Sequence, residues 1–118
     1  MKIDLKTKNF EITPSIRAYL EQRLNSLDKF LPNDESIFAE VELAKTTEHH
    51  KKGDIFMAEV NLTMPGQLIR AIAEESDLHV SIDAVKEQLQ REITMSKEKN
   101  ISLYRRGARL LKKLLRRE

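Results

Sequence analysis

A pair of adjacent histidines suggests metal binding at first sight. His49 and His50 lie in a wholly polar stretch, with Glu48 before them and Asp54 after them. Structural metal sites need ligands spaced so that their side chains converge on one point, and neighbouring histidines in a loop lack that spacing. We therefore interpret this stretch as a solvated loop and expect no metal site.

A second group consists of carboxylates that could act as a general acid and base. Glu40 and Glu42 alternate along one predicted strand, and Glu59 lies on the next strand along the chain. Proton transfer needs such a pair in a concave pocket, but the outer face of a sheet is flat and wet. The pattern favours a solvated sheet face.

Other catalytic signatures are missing from the sequence. The three glycines, Gly53, Gly66 and Gly107, are too far apart to form a glycine-rich phosphate loop. There are no cysteines, and no serine lies in a nucleophile motif. We expect a protein that is not an enzyme, with no cofactor and no small-molecule substrate.

The basic residues are concentrated at the C-terminal end. The net charge of the 118 residues is only +2. Residues 1–96, however, hold 12 Lys and Arg against 17 Asp and Glu, whereas residues 97–118 hold 9 against 2. The two parts therefore carry −5 and +7, and a positive block of this kind is typical of a segment that binds a polyanion such as RNA or an anionic membrane.

Composition and length favour one domain. With 40% hydrophobic residues, 118 residues can bury a core of their own. The first residues contain no apolar run typical of a signal peptide, and no stretch approaches the ~20 apolar residues of a membrane span. We expect a cytoplasmic protein without a membrane partner.

Hydrophobic periodicity predicts the elements that position these groups. Alternation predicts strands over 2–8, 37–44 and 56–64, with a last strand reached through the turn at Pro65-Gly66. Steps of three and four residues predict a helix from about 14 to 30, capped by Thr13, and a second from Ser76 or Asp77 to about Lys97. The predicted fold is α+β, a β-α-β-β-β-α domain with both helices on one face of a four-stranded sheet.

Residues 100–118 predict a further helix that is amphipathic and basic. One half of its helical wheel is rich in leucine and the other in Arg and Lys. Gly107 in its middle costs about 1 kcal/mol of helix preference relative to Ala. We therefore divide the chain into a domain over 1–99 and a C-terminal extension over 100–118.

Two motifs give the chain a resemblance to a known family. Glu11-Ile12-Thr13-Pro14-Ser15-Ile16-Arg17-Ala18-Tyr19 and Asp77-Leu78-His79-Val80-Ser81-Ile82-Asp83 resemble segments of the ribosome hibernation promoting factor and ribosome-associated inhibitor A family. The similarity covers roughly residues 1–99 and includes the Met-Pro-Gly hairpin and Lys97-Glu98-Lys99. It implies the same element order and a domain that binds the decoding channel of the small ribosomal subunit, where mRNA and tRNA bind.

The resemblance also implies which face meets RNA. A stripe on the second helix that faces ribosomal RNA in the family falls here on Gln88, Arg91, Met95 and Lys99. Gln88 and Met95 replace the family's usual Lys or Arg, and His79 replaces its usual Tyr. Because phosphate binding depends on counterion release rather than on which element carries the cation, we infer that the basic extension supplies the missing charge.

The candidate RNA-binding residues are accordingly basic side chains of both helices and the extension, with 16S rRNA and ribosomal proteins of the small subunit as the expected partners: Arg17, Arg23, Lys86, Arg91, Lys97, Lys99, Arg105, Arg106, Arg109, Lys112 and Lys113. Two alternatives stay open at this point. One is an unrelated small RNA-binding module, and the other is a membrane-surface or protein-interaction module that uses the basic amphipathic helix.

Overall fold

The computed structural model describes residues 1–46 and 53–116, with the side chains of 98–104, 113, 115 and 116 left out of the description. The strands are β1 (Lys2–Lys8), β2 (Phe38–Thr46), β3 (Ile55–Met64) and β4 (Gln67–Glu75). The helices are α1 (Pro14–Asn25), a short 3-10 helix (Ser26–Phe30) and α2 (Leu78–Arg116). The α+β fold class and the element order predicted from the sequence are confirmed.

The four strands form one mixed sheet in the order β1-β2-β3-β4. β1 runs parallel to β2, with Leu5 opposite Val41, so α1 is the crossover between two parallel strands. The other two pairings are antiparallel, and Val60 lies opposite both Val41 and Ala71. β1 and β4 are therefore the two edges of the sheet.

The hydrophobic core lies between one face of the sheet and the helices. Alternate residues of β2, β3 and β4 are buried, among them Val41, Val60 and Leu62. Leu20 of α1 and Leu89 of α2, each with no exposed surface, belong to the same cluster. Burial of a large aliphatic side chain contributes about 1.5–3 kcal/mol, so this layer carries most of the folding free energy.

α1 begins as predicted but ends earlier. Thr13 Oγ1 accepts a hydrogen bond from the Ile16 backbone N–H at 3.2 Å, as expected of an N-cap. The α-helical pattern then stops at Asn25 and tightens into the 3-10 turn, where Ser26 Oγ donates to the Arg23 carbonyl at 2.6 Å. Leu27 stays fully buried, so the apolar periodicity continues to Phe30 although the helix type changes.

α2 is the largest departure from the predicted boundaries. The sequence places the end of the second helix near Lys97 and a separate helix beyond it, but α2 runs without a break from Leu78 to Arg116. No proline interrupts this stretch. Gly107 is tolerated because its backbone stays right-handed and a Cβ there would meet nothing within 4 Å. We call the part of α2 from Lys97 to Arg116 the arm.

Candidate nucleic-acid interface

The two motifs that carry the family resemblance lie against each other in space. The Tyr19 hydroxyl of α1 donates to Asp83 Oδ1 of α2 at 2.6 Å, across 64 positions of sequence. The Tyr19 ring also packs edge-on against His79, with ring centroids 4.7 Å apart and planes at 70°. His79 thus keeps an aromatic contact at the position where the resemblance implies Tyr.

Arg23 completes this cluster on the outer side of the helices. Its Nε lies 3.1 Å from Asp83 Oδ1, and its guanidinium lies 5.0 Å from the centre of the Tyr19 ring. The hydrogen bond with Asp83 is the main cause that raises the pKa of Tyr19, and burial adds to it. The hydrogen bond with Tyr19 and the charge of Asp83 raise the pKa of Arg23. These contacts fix the relative position of α1 and α2.

α2 is also fixed to the edge strand β4, through Gln88. Its Nε2 donates to the Ile72 carbonyl at 3.0 Å, and its Oε1 accepts from the Ile72 backbone N–H at 3.2 Å. The resemblance implies that position 88 faces RNA, but here its carboxamide is turned to the sheet edge. A long basic side chain could not supply this paired donor and acceptor.

Further contacts set the direction of α2. The buried hydroxyl of Ser81 donates to the Phe56 carbonyl at 2.7 Å, and Ser96 Oγ lies 2.7 Å from Gln67 Oε1. Since Ser81 is near the start of β3 and Ser96 is near the start of β4, α2 runs antiparallel to β4. The arm therefore leaves the domain at the β3–β4 turn.

The exposed side of α2 carries an open groove beside its own cations. Lys86, Gln90, Arg91, Thr94 and Met95 line it, together with Glu87. Lys86 Nζ donates to Gln90 Oε1 at 2.7 Å, and Arg91 is exposed. Neither Lys86 nor Arg91 has a carboxylate partner among the ion pairs of the described residues. Both line the groove, so both can pair with an anion that binds there.

The arm continues this basic surface away from the domain. Arg105, Arg106, Arg109 and Lys112 are all exposed, as is Lys97 where the arm begins. Leu110, Leu111 and Leu114 are also exposed, at 63%, 60% and 63%. At 1.5 Å per residue the arm is about 30 Å long. It is amphipathic, with both its basic and its apolar side open.

The predicted RNA-binding residues thus fall into three groups. Lys86, Arg91, Lys97, Arg105, Arg106, Arg109 and Lys112 follow one continuous helix. Lys99 and Lys113 belong to the same helix, but their side chains lie outside the described part. Arg17 and Arg23 lie on α1 in ion pairs with Glu21 (3.8 Å) and Asp83. The structure places the first two groups on one helix, α2, and the third on α1.

The carboxylates considered for acid–base chemistry lie on the sheet face opposite the helices, which we call the open face. Glu42 and Glu59 are directly opposite each other on β2 and β3, and Arg70 Nη2 pairs with Glu59 Oε1 at 3.2 Å. Asp54 pairs with Lys45 at 3.2 Å. His49 and His50 fall outside the described residues, and the described ones include no group of three metal-binding side chains.

Comparison with known proteins identifies the family. The sequence profile of the family described as "Sigma 54 modulation protein / S30EA ribosomal protein" matches residues 3–101. The chain belongs to this family. The S30EA match covers the sheet from Ile3 onward and α2 as far as the first residues of the arm, and it stops before Arg105.

Named relatives agree with this assignment. A ribosome hibernation promotion factor of Lactococcus lactis is 33% identical over 93 residues, which is 79% of this chain and 48% of the relative. A ribosome hibernation promoting factor of Klebsiella oxytoca is 27% identical over 99 residues, 84% of this chain and 96% of the relative. The chain thus spans about half the length of the first relative and nearly all of the second.

A solved structure has the same fold. The N-terminal domain of Thermus thermophilus Protein Y is 31% identical, with a TM-score of 0.66, and the alignment covers 79% of this chain and 96% of that one. The family is a ribosome-associated one and not a class of enzymes. No helix in the described part of the chain is long and apolar enough to cross a membrane.

Proposed function

We propose that this S30EA protein is a ribosome hibernation factor that occupies the decoding channel of the small ribosomal subunit. The family match over residues 3–101 carries the proposal, because relatives that align along most of this domain are named for ribosome hibernation. The contact of Tyr19 with His79 and Asp83 supports it, since it joins the two motifs that carry the resemblance.

RNA phosphates are the proposed ligands of α2. Lys86 and Arg91, which line the groove on α2, and Lys97 at the start of the arm all lie on this one helix. Each cation that neutralises a phosphate releases condensed counterions, and this release is the main source of affinity for RNA. Arg17 and Arg23 contribute only where phosphate replaces Glu21 or Asp83 as their partner.

The arm supplies the larger part of the phosphate-binding charge. The family stripe on α2 has Gln88 bound to Ile72 and an uncharged, exposed Met95, so only part of it can attract phosphate here. Arg105, Arg106, Arg109 and Lys112 are exposed on the same helix. Affinity from counterion release depends on the number of cations, so charge on the arm can substitute for charge on the domain.

Inhibition by this protein requires no bond to be made or broken. A domain seated in the decoding channel excludes mRNA and tRNA by occupying their space, and it holds the ribosome idle in stressed or stationary cells. Its site of action is then the cytoplasm. The role needs a rigid domain, which the buried core and the α1–α2 cluster provide.

Co-sedimentation with purified small subunits tests the proposal. The full chain is expected to pellet with them at low salt, and saturating initiator tRNA with mRNA should displace it. Binding of both at once would contradict the site, whereas protein that stays in the supernatant would contradict the partner. Flotation with anionic vesicles, run in parallel, would reveal a membrane-surface protein instead, an alternative raised by the exposed Leu110, Leu111 and Leu114.

A further inference from the structure

The arm has an apolar stripe that nothing in the described chain covers. Leu110, Leu111 and Leu114 are each at least 60% exposed. On an α-helix of 3.6 residues per turn they lie on the same side as the buried Leu89 and Ile93, so the stripe continues the side on which α2 packs against its own sheet. The stripe therefore faces the plane of the chain's own sheet. A second sheet that lies in this plane beyond the β3–β4 turn can pack against it.

The open face of the sheet has exposed apolar side chains on β4, on either side of Arg70, which pairs with Glu59. Leu68 is 65% exposed and Ile72 is 44% exposed, and Met57 of β3 lies beside Glu74 on the same face. The β1–β2 half of the face carries both signs of charge, since Asp4 lies directly opposite Glu40 but Lys6 lies directly opposite Glu42.

We propose that two copies of this chain pair in solution by reciprocal docking, with the arm of each lying across the open face of the other. A two-fold axis perpendicular to α2, parallel to the sheet and at the β3–β4 turn produces this arrangement. The two sheets then meet end to end. Each is covered on one face by its own helices and on the other by its partner's arm.

The continuity of α2 is what makes the fit possible. α2 lies above β3 and β4 and antiparallel to β4, because it bonds Phe56 through Ser81 and Ile72 through Gln88. Rotation about this axis does not shift the molecule in the direction across the strands. The arm, which extends α2, therefore lies above β3 and β4 of the partner, where Leu68 and Ile72 are exposed. A straight helix cannot reach the open face of its own sheet, which lies on the opposite side.

Length and charge also match. The arm is about 30 Å long and β3, with ten residues, is about 33 Å. Residues 97–118 carry +7 and residues 1–96 carry −5, so each arm is attracted to the partner's domain as a whole. Direct pairing of two arms would instead bring Arg106, Arg109 and Lys112 of both copies together. The net charges of the two segments thus favour a contact of arm with domain over a contact of arm with arm.

The area is sufficient for a specific interface. A helix about 30 Å long and 10 Å wide has a footprint of about 300 Å². Counting both surfaces and both contacts gives about 1,200 Å², at the lower end of stable protein interfaces. Because the pair is closed by its two-fold axis, it stops at two copies. Interfaces at this end of the size range include weak and transient ones, so we expect a dimer that dissociates on dilution.

Sedimentation velocity of the full chain at concentrations up to roughly 100 µM tests the proposal without ribosomes. We expect a concentration-dependent dimer that weakens as salt rises. Leu111→Ser with Leu114→Ser should abolish it, and so should Leu68→Ser with Ile72→Ser. These side chains are exposed, so the fold is retained. Met95→Ser, at a 61% exposed position on the other side of α2, is the matched control and should still dimerise.

Cross-linking tests the geometry directly, since the chain has no cysteine of its own. Leu111→Cys mixed with Ile72→Cys should give a disulfide-linked dimer of one copy of each, whereas Leu111→Cys mixed with Val80→Cys should not. A chain that stays monomeric at all concentrations overturns the proposal, as does a dimer that survives the serine changes. Because no ribosome is involved, either failure leaves the proposed ribosomal function untouched.

Discussion

The side-chain amide of Gln88 bonds both the N–H and the carbonyl of Ile72, so that one residue of α2 satisfies both backbone groups of one residue of an edge strand. Edge strands present such unpaired groups to any passing chain, and proteins cover them by several means. Here the side chain of Gln88 pairs with these groups at Ile72, and this contact holds α2 in a fixed position along β4.

Gln88→Ala should therefore destabilise the fold and loosen this edge. Two hydrogen bonds of about 1 kcal/mol each are lost, so the free energy of unfolding in urea should fall by about 1–2 kcal/mol. Amide exchange at Ile72 should speed up. Gln90→Ala is the control, since in the described structure Gln90 binds only the side chain of Lys86. Unchanged exchange at Ile72 would contradict this role of Gln88.

The Tyr19–Asp83 bond should be visible in a titration. In a Tyr104→Phe background Tyr19 is the only tyrosine, and its absorbance should report a pKa above the ordinary value of about 10. Asp83→Asn removes the main cause, so the pKa should move down toward that value. A titration that does not move on this substitution would show that Asp83 is not responsible.

The raised pKa of Tyr19 also makes the free energy of unfolding depend on pH. The folded-state pKa of Tyr19 is raised, so its hydrogen bond stabilises the fold at pH values below about 10 and is lost as pH rises through the raised pKa. Tyr19→Phe in the same background should lower the free energy of unfolding at neutral pH. The difference should shrink at alkaline pH, and a constant difference would contradict the assignment.

The charge on the arm should set the salt dependence of ribosome binding. Neutralising Arg105, Arg106, Arg109 and Lys112 as Gln should weaken binding to small subunits. The slope of log affinity against log salt should flatten by about 0.7–0.9 for each lost phosphate contact. Lys2, Lys6 and Lys8 changed to Gln remove three exposed cations of β1 and should change the slope much less. Equal effects of the two sets would mean that only net charge matters.

Gly107→Ala should make the arm more helical. Its backbone is right-handed helical, and an added Cβ would meet nothing within 4 Å, so the change gains about 1 kcal/mol of helix preference. Circular dichroism should show a higher helix content, or a loss of the helix signal at a higher temperature. The free energy of unfolding of the domain should stay the same. A loss of helix signal would show that Gly107 is needed for a bend.

Much of the fold could be predicted from the sequence because its signals are local. Alternation located all four strands, and Thr13 and Pro14 located the start of α1. The end of α2 could not be found in this way. Among the described side chains of α2 the last buried one is Ile93, but the helix continues to Arg116 because no proline breaks it. A helix can continue after its side chains stop contacting the core, and hydrophobic periodicity indicates only where the core contacts end.

The contacts within the candidate site were less accessible to sequence reasoning. Nothing in the pattern around Gln88 shows that it bonds a backbone 16 residues away. The meeting of Tyr19 with Asp83 depends on how the two helices pack, which neither motif contains by itself. Which cations contact RNA stays a prediction, because exposure alone does not choose between them.

An unbroken α2 also makes the molecule a strong electric dipole. The acidic domain and the basic arm are held apart by a rigid helix, where a flexible tail would fold back and cancel much of the separation. A dipole turns in the field of a polyanion before contact and raises the rate of productive encounter, most of all at low ionic strength. The protein should therefore approach the ribosome with its arm leading. The arm then makes the first contacts and the domain the later ones.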